Sequence, residues 1–276
     1  MKQVLIIGTL GFVGYSLCSR LLEDGVTVIG LDHKPYENTI HEEKLLGISR
    51  NANFTFIPLK QEMLLKRDLE NSMVDVVFYC LPISDNDGNI ERNNDMEKLL
   101  ELAIDQSLLN KCKFVIVASR VQGNGRSKEE NYVINQCENL DYMIVKLPTL
   151  YGPWQPFEMV YQQLILAKIN GVAEAINIEE DTRDILYIDD AIEGILSLLP
   201  QEHEKEIQIE SGLKFQWYEG IKEISPEVYE ELRTSAETSE NIQNDKCYTQ
   251  IISKTSIRKG IENKIKHTEK LKKRLF

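Results

Sequence analysis

The segment Gly8-Thr9-Leu10-Gly11-Phe12-Val13-Gly14 separates two stretches of different periodicity. Val4 to Ile7, before it, is a continuous apolar run typical of a buried strand. Phe12 to Leu22 has apolar residues at helical spacing, and this pattern stops at Asp24-Gly25. A second apolar run, Val26 to Leu31, follows at once. The sequence therefore predicts a strand, a glycine-rich turn, a helix and a second strand.

A glycine-rich turn between a strand and a helix has the physical properties of a dinucleotide-binding site. Gly8 allows a tight turn, Gly11 lets the backbone approach a pyrophosphate, and Gly14 lets the helix pack on the strand. The helix N-terminus then presents free N–H groups to the anion. A turn that binds no nucleotide is the alternative. The predicted cofactor contacts in the turn are Gly8, Thr9, Leu10, Gly11, Phe12, Val13 and Gly14.

An acidic residue ends the second predicted strand. Asp32 is placed to accept hydrogen bonds from the hydroxyls of an adenosine ribose, which favours NAD over NADP as the cofactor. His33 and Lys34 directly follow Asp32. Because both can carry positive charge beside a 2′-phosphate, NADP stays possible.

The rest of the chain continues the alternation of strands and helices. Strands are predicted at 54–58, 74–80, 114–118 and 142–147, and helices at 94–109 and 127–139. Continuous apolar strands separated by helices indicate a parallel sheet covered on both faces. The predicted fold class is α/β, with a doubly wound parallel sheet. After Pro148 we expect a helix at 157–170, a strand at 185–188, a helix at 190–199, a polar loop at 230–248 and a last helix at 253–273.

Composition excludes several classes of protein. The chain has 276 residues, 42% of them hydrophobic and 28% charged, with a formal net charge of −12. A nucleic-acid partner is not expected, because phosphate backbones require a basic surface. The five cysteines form no C-x-x-C pair and the four histidines lie at no metal-ligand spacing, so we expect reduced thiols, a cytoplasmic protein and no metal. Since no stretch approaches 18 apolar residues, no membrane association is expected.

The C-terminal end is basic, with nine Lys or Arg against two Glu from Lys254 onward. A solvated final helix explains this pattern. A surface for an anionic membrane or an acidic partner is the alternative.

Three segments together resemble the extended short-chain dehydrogenase/reductase superfamily, and UDP-glucuronate 4-epimerases in particular. The first is the G-x-x-G-x-x-G turn at 8–14. The second, Lys146 to Trp154, resembles the family segment R-x-x-T-V-Y-G-P-W. The third, Arg183 to Asp190, resembles the family segment R-D-F-x-Y-I-D-D.

The resemblance implies a two-lobed enzyme that binds NAD and a nucleotide diphospho-sugar. It implies a Rossmann domain at 1–147, completed by 182–200, and a substrate lobe at 148–181 and 201–276. Further cofactor contacts implied by the family are Leu81, Lys128 and Pro148. Thr149 would face the sugar and Arg183 would hold the diphosphate; a surface salt bridge of Arg183 with Asp184 or Glu180 is the alternative. The family also implies a homodimer formed by the helices at 94–109 and 127–139.

The catalytic segment departs from the family pattern of a Ser or Thr followed by Tyr-x-x-x-Lys. Lys128 matches the family Lys, but Asn124 stands at the Tyr position. Ala118 aligns with the Ser/Thr position, and Ser119 is its neighbour. An asparagine amide does not titrate near neutral pH and cannot take a proton from a sugar hydroxyl. Tyr132, in the same predicted helix, is a less favoured substitute acid than Lys128, Ser119 or a water.

These observations support two hypotheses. The first is an NAD(P)-dependent oxidoreductase or epimerase acting at C4 of a UDP- or dTDP-hexose, with 4-keto reduction favoured over full epimerisation. Reduction requires only a hydride and a proton donor, so it tolerates the missing Tyr better. The second is a catalytically silent relative that binds a dinucleotide or nucleotide sugar and has a regulatory or partner role.

Overall fold

The computed structural model of the chain describes residues 1–59, 69, 73–80, 90–120, 128–137, 139–172, 178–201, 205–236, 248–251 and 253–275. The strands in this part of the chain are β1 (Gln3–Ile7), β2 (Thr27–Asp32), β3 (Phe54–Pro58), β4 (Val76–Cys80), β5 (Lys113–Ser119), β6 (Tyr142–Leu147), β7 (Thr149–Tyr151), β8 (Ile185–Tyr187), β9 (Glu206–Glu210) and β10 (Tyr248–Gln250). The helices are α1 (Phe12–Glu23), α2 (Ile40–Ile48), α3 (Ile90–Asn110), α4 (Lys128–Gln136), α5 (Val160–Asn170), α6 (Ile188–Leu198), α7 (Gln216–Ile224), α8 (Pro226–Ala236) and α9 (Ile257–Leu275).

Eight strands form one sheet in the order β10-β9-β6-β5-β4-β1-β2-β3. β1 pairs in parallel with β2 and β4, β2 with β3, and β4 with β5. The order from β3 to β6 is that of a doubly wound dinucleotide-binding sheet. Helix α1 packs on β1 and β2, and α3 packs on β1 and β4. The predicted α/β fold is confirmed.

Contacts group the chain into two compact units. The first comprises 1–118 with 126–145, and the second comprises 119–125 with 146–276. The predicted Rossmann domain at 1–147, completed by 182–200, and the predicted substrate lobe stay predictions. Among the described residues, no helix is long and apolar enough to cross a membrane.

Buried strand residues form the core of the first unit. Val4, Leu5 and Ile6 of β1 are fully buried, because a central parallel strand has no solvent-facing side. Phe114 of β5 is also fully buried and stacks on Tyr79 of β4, with 6.2 Å between ring centroids.

Aromatic side chains form the core of the second unit. Trp217 and Tyr161 are fully buried, and the Tyr161 hydroxyl donates to the Trp217 carbonyl at 2.7 Å. Tyr151 packs on Tyr161 and Tyr187, with ring centroids 5.5 and 5.4 Å apart.

The expected loop at 230–248 is wrong at its start, because residues 230–236 continue helix α8. Pro226 begins this helix, where its missing N–H has no cost. Val228, Tyr229 and Leu232 then pack at helical spacing against the core of the second unit. Tyr248 at the other end is in strand β10, and residues 237–247 lie outside the described part of the chain.

Phe114→Ala tests the assignment of the first core. Removing a fully buried phenyl ring leaves a cavity and should lower the free energy of unfolding by about 3–5 kcal/mol. Leu46→Ala is the matched control, since Leu46 is 57% exposed and its truncation should cost less than about 0.5 kcal/mol. Urea titrations of both variants give these values. Equal losses for the two would contradict the assignment.

Candidate functional site

The turn after β1 has no room for side chains at two of its glycines. Gly8 has a φ of +78°, and a Cβ there would lie 2.8 Å from the carbonyl oxygen of Cys80. A Cβ on Gly14 would lie 2.0 Å from the Gly8 carbonyl oxygen. Gly14 therefore lets helix α1 begin directly against the turn. At Gly11 a Cβ would lie 3.1 Å from the same oxygen.

The first amides of the turn are already used within the protein. Gly8 and Thr9 donate to the Leu31 carbonyl at 3.0 and 3.3 Å, and Gly11 donates to Gly8 at 3.1 Å. Leu10 donates to Asp32 Oδ2 at 2.7 Å. These four N–H groups hold the turn against the end of β2. Because they already have acceptors within the protein, they are not available to an anion.

The amides that remain for an anion belong to the first turn of α1. Phe12, Val13 and Gly14 start the helix, where N–H groups have no intrahelical acceptor. Gly11, at the N-cap, has no side chain to cap them. Together with the helix dipole, these amides could hold an anion at the end of β1. Of the predicted contacts at 8–14, these three amides are the donors not used within the turn, and the cofactor contacts stay a prediction.

Asp32 lies at the same sheet edge as the turn. Ile7 pairs with Leu31 in the parallel register, so the next residues of the two strands, Gly8 and Asp32, are neighbours at the carboxyl end of the sheet. Besides Leu10 N, the Asp32 carboxylate accepts the N–H of His33, through Oδ1 at 2.7 Å. These two backbone donors fix the carboxylate, and its oxygens keep lone pairs for further donors such as ribose hydroxyls.

Lys44 of helix α2 was not predicted from the sequence. It is only 3% exposed, and its Nζ donates to the Leu10 carbonyl at 2.8 Å. The same Nζ lies 5.8 Å from the centroid of the Tyr15 ring. Burial lowers the pKa of Lys44 to about 8, against an opposing effect of the Asp32 charge. No local sequence signal marks Lys44, because its role depends on α2 folding over the turn.

Thr149 and Arg183 come together in the second unit around Asp181. The Thr149 hydroxyl donates to the Asp181 carbonyl at 2.6 Å. The Arg183 guanidinium binds the Asp181 carboxylate in two places, with Nε to Oδ1 at 2.8 Å and Nη2 to Oδ2 at 2.7 Å. Arg183 therefore does pair with an acidic neighbour, but the partner is neither Asp184 nor Glu180.

Arg120, directly after Ser119, completes this cluster. Its side chain is 7% exposed and donates through Nε to Asp181 at 2.7 Å and through Nη1 to Glu210 at 3.0 Å. Burial alone would raise the pKa of Asp181, but the hydrogen bonds from Arg183 and the charge of Arg120 lower it overall. The carboxylate is thus held ionised between two guanidinium groups. Sequence reasoning missed Arg120, although a charged residue directly after a buried strand is a usable signal.

The other predicted site residues are placed as follows. Ser119 ends β5 and is exposed, and Pro148 is buried between β6 and β7. Lys128 begins α4, but the structure describes only its backbone. Asn124 and Leu81 lie outside the described residues. In the part of the chain that the structure describes, no group of three or more His, Cys, Asp or Glu could hold a metal ion.

A family model agrees with this geometry. The model of the NAD dependent epimerase/dehydratase family matches residues 4–132, which include the turn, Asp32 and Lys44. Residues 4–132, just under half of the chain, are thus similar to that family. This match confirms the expected family resemblance. It also confirms the expectation of NAD, which the family description names, and of an enzyme family.

Similar proteins point the same way. A Bacillus subtilis protein described as an uncharacterized UDP-glucose epimerase is 27% identical over 238 residues, covering 73% of each chain. CapI of Staphylococcus aureus is 27% identical over 234 residues, covering 71% of this chain and 69% of that one. The crystal structure of a Bacillus cereus UDP-glucuronic acid 4-epimerase with UDP-glucuronic acid and NAD has a TM-score of 0.67 at 18% identity, covering 98% of this chain and 99% of that one. This structural likeness establishes the shared fold.

The buried amine of Lys44 predicts a pH dependence of stability. With a pKa of about 8 in the folded chain against 10.5 as its ordinary value, Lys44 binds fewer protons when folded than when unfolded between these pH values. Its contribution to the free energy of unfolding therefore rises with pH across this window, by up to about 3 kcal/mol. Relative to Lys44→Met, the wild type should gain stability from pH 8 to 10.5 in urea titrations.

Thr39→Ala is the matched control for this pH series. Thr39 caps the same helix by accepting the N–H of Glu42 at 3.3 Å, and it does not titrate. Its effect on stability should stay constant across the window. A wild-type to Lys44→Met difference that is equally flat would show that Lys44 keeps its ordinary pKa.

Proposed function

We propose that this protein is an NAD-dependent oxidoreductase or epimerase acting at C4 of a nucleotide diphospho-sugar, with reduction of a 4-keto sugar favoured over full epimerisation. The observation that carries the proposal is the set of open α1 amides beside the fixed carboxylate of Asp32. The amides of Phe12, Val13 and Gly14 suit a pyrophosphate, and the carboxylate suits ribose hydroxyls.

The cofactor would supply or accept the hydride. Asp32 favours NAD over NADP, because a 2′-phosphate would meet its negative charge. Lys44, which is 3% exposed, is too buried to neutralise such a phosphate. NADP remains the alternative cofactor, supported by His33 and Lys34 next to Asp32.

Thr149 and Arg183 are the proposed substrate contacts. Arg183 gives two side-chain N–H groups to Asp181, and the others of its five remain for phosphate oxygens. The fixed orientation of the guanidinium suits recognition of a diphosphate. The Bacillus cereus neighbour contains UDP-glucuronic acid, and the Bacillus subtilis relative is described as a UDP-glucose epimerase, which supports a UDP-sugar.

The residues at the predicted catalytic positions favour reduction. A hydride adds to the carbonyl carbon at C4, and a proton adds to the oxygen, so that the 4-keto group becomes a hydroxyl. Lys128, Ser119 or a water would give that proton, with Lys128 also holding the cofactor ribose. The reverse step in an epimerase would require a base, and Asn124 is not one.

A silent binding protein is the second candidate, and a specific observation favours it. Ala118 is 4% exposed at the position where the family has Ser or Thr, so this buried position has no hydroxyl. Arg120, two residues on, is committed to Asp181 and Glu210. Such a protein would bind the same ligands without turnover and act as a sensor or partner.

We also propose a homodimer formed by α3 and α4, as in the family. Exposed apolar side chains on these helices support it: Leu108 is 48%, Leu109 60% and Tyr132 41% exposed.

Calorimetric titration with NAD, NADH, NADP and NADPH tests the cofactor proposal. We expect NAD and NADH to bind at least about tenfold more tightly than the phosphorylated forms. Gly14→Ala should abolish binding, since its Cβ would meet the Gly8 carbonyl at 2.0 Å. Gly25→Ala, beyond the other end of α1, is the control for general destabilisation: its φ of +76° strains an alanine, but a Cβ there meets nothing within 4 Å, so NAD binding should be kept.

Turnover is then followed by the nicotinamide absorbance, with NADH and a UDP-4-keto-6-deoxy sugar. We expect a steady loss of absorbance. Binding of NADH without turnover on a panel of keto and parent sugars would favour the silent protein. Absence of binding by all four dinucleotides would overturn both candidates.

A further inference from the structure

Two charged side chains hold the two polar groups of a single residue in the turn. Asp32 Oδ2 accepts the Leu10 N–H at 2.7 Å, and Lys44 Nζ donates to the Leu10 carbonyl at 2.8 Å. The Leu10 side chain is itself 1% exposed. The peptide groups on both sides of Leu10 therefore have a fixed orientation, directly before the amides of α1.

The position of Lys44 is set by a well-anchored helix. The Thr39 hydroxyl accepts the N–H of Glu42 at 3.3 Å, and the Glu42 carboxylate accepts the N–H of Asn38 at 2.6 Å. These two bonds fix the start of α2 much as a capping box does. Lys44 follows on the first turns of the same helix, so its ammonium has a defined direction.

The packing around the Lys44 ammonium also suits a cation. Tyr15 of α1 places its ring 5.8 Å from Nζ, a distance at which a cation and an aromatic ring attract each other. Gly47 makes room for Tyr15, because a Cβ there would lie 2.9 Å from the Tyr15 hydroxyl oxygen. Helix α2 thus contributes both the cation and the space for the ring that packs on it.

Burying an amine is costly, and packing alone does not require one here. A methionine has similar length and no desolvation penalty. What the amine adds is a strong donor for one carbonyl and a positive charge that compensates Asp32. Both effects matter most where a doubly charged pyrophosphate is to be bound near that carboxylate.

We propose that Lys44 is a positioning residue of the dinucleotide site, which holds the Leu10 carbonyl so that the turn leaves the first amides of α1 open to the pyrophosphate. The proposal rests on the proposed function. Lys44 acts through Leu10 and not by touching the ligand, because only 3% of it is exposed.

The binding test compares Lys44→Met with Lys44→Arg by calorimetric titration with NAD. Loss of a charge-assisted hydrogen bond should weaken NAD binding by Lys44→Met about tenfold. Lys44→Arg keeps a charged donor and should stay within about threefold of the wild type. In the Asp32→Asn background the effect of Lys44→Met should shrink, because both residues act on Leu10.

Lys264→Met is the matched control. Lys264 is 1% exposed in the second unit and donates to Gln162 and to the Gly152 carbonyl, so its replacement also removes a buried amine. We expect its affinity for NAD to equal that of the wild type. Tenfold weakening by Lys264→Met as well would assign the effect to general destabilisation and overturn the proposal.

A second measurement does not depend on the ligand. Without its carbonyl anchor the turn opens more often, so the amide of Leu10 should exchange with solvent about tenfold faster in Lys44→Met than in the wild type, with no cofactor present. Unchanged exchange, or unchanged NAD affinity in a folded Lys44→Met, would overturn the positioning role. Failure of the wild type to bind NAD, together with faster exchange in the variant, would instead refute the proposed function alone.

Discussion

The first unit depends on the close approach of helix α1 to the carbonyl of the turn that precedes it. Gly14 lies so near the Gly8 oxygen that a single methyl group could not be added, and Gly8 itself has a positive φ against the end of β4. Helix α1 can therefore start at the very edge of the sheet. Because β1 lies between β2 and β4, this start lies at the centre of the first unit, where its unpaired amides and Asp32 are brought to one edge.

Each of the two units has one carboxylate that fixes the groups around it. In the first, Asp32 fixes the backbone of the turn through Leu10. In the second, Asp181 fixes side chains: its two oxygens accept three hydrogen bonds, two from Arg183 and one from Arg120, and the pair from Arg183 is the two-bond contact typical of guanidinium and carboxylate. Buried charges of this kind are costly unless fully paired. What the buried ion pairs of Asp181 fix is the orientation of the two guanidinium groups around it.

Sequence reasoning was most accurate where the signal is local. Strand β1, helix α1 and strand β2 were predicted to within one residue at each end, because periodicity and glycine punctuation lie within 32 residues. Lys44 was missed because it meets Leu10 only after α2 folds back over 34 residues, and α2 has no clear apolar stripe. Arg120 was missed for the same reason, since its acidic partners are 61 and 90 residues away.

The prediction that Arg183 pairs with Asp184 or Glu180 was wrong, because closeness in sequence does not fix where a carboxylate points. Asp184 accepts the backbone N–H groups of Ile185 and Ser211 at 2.8 Å, and Glu180 accepts Trp217 Nε1 at 2.6 Å. Both carboxylates are thus turned toward core elements that a single sequence does not locate. Asp181 is therefore the carboxylate that binds Arg183. Three-residue strands such as β7 and β10 were not predicted either, because they are too short to show a periodicity and are defined by pairing with a neighbouring strand.

The most direct measurement is an NMR titration of the isotopically labelled protein with NAD, following the backbone amides of Phe12, Val13 and Gly14. The account predicts that these three resonances shift most and become protected from exchange, while the amides of Gly8 and Thr9, already bonded to Leu31, change little. Saturable binding of NAD that leaves the three helix amides unshifted would contradict it.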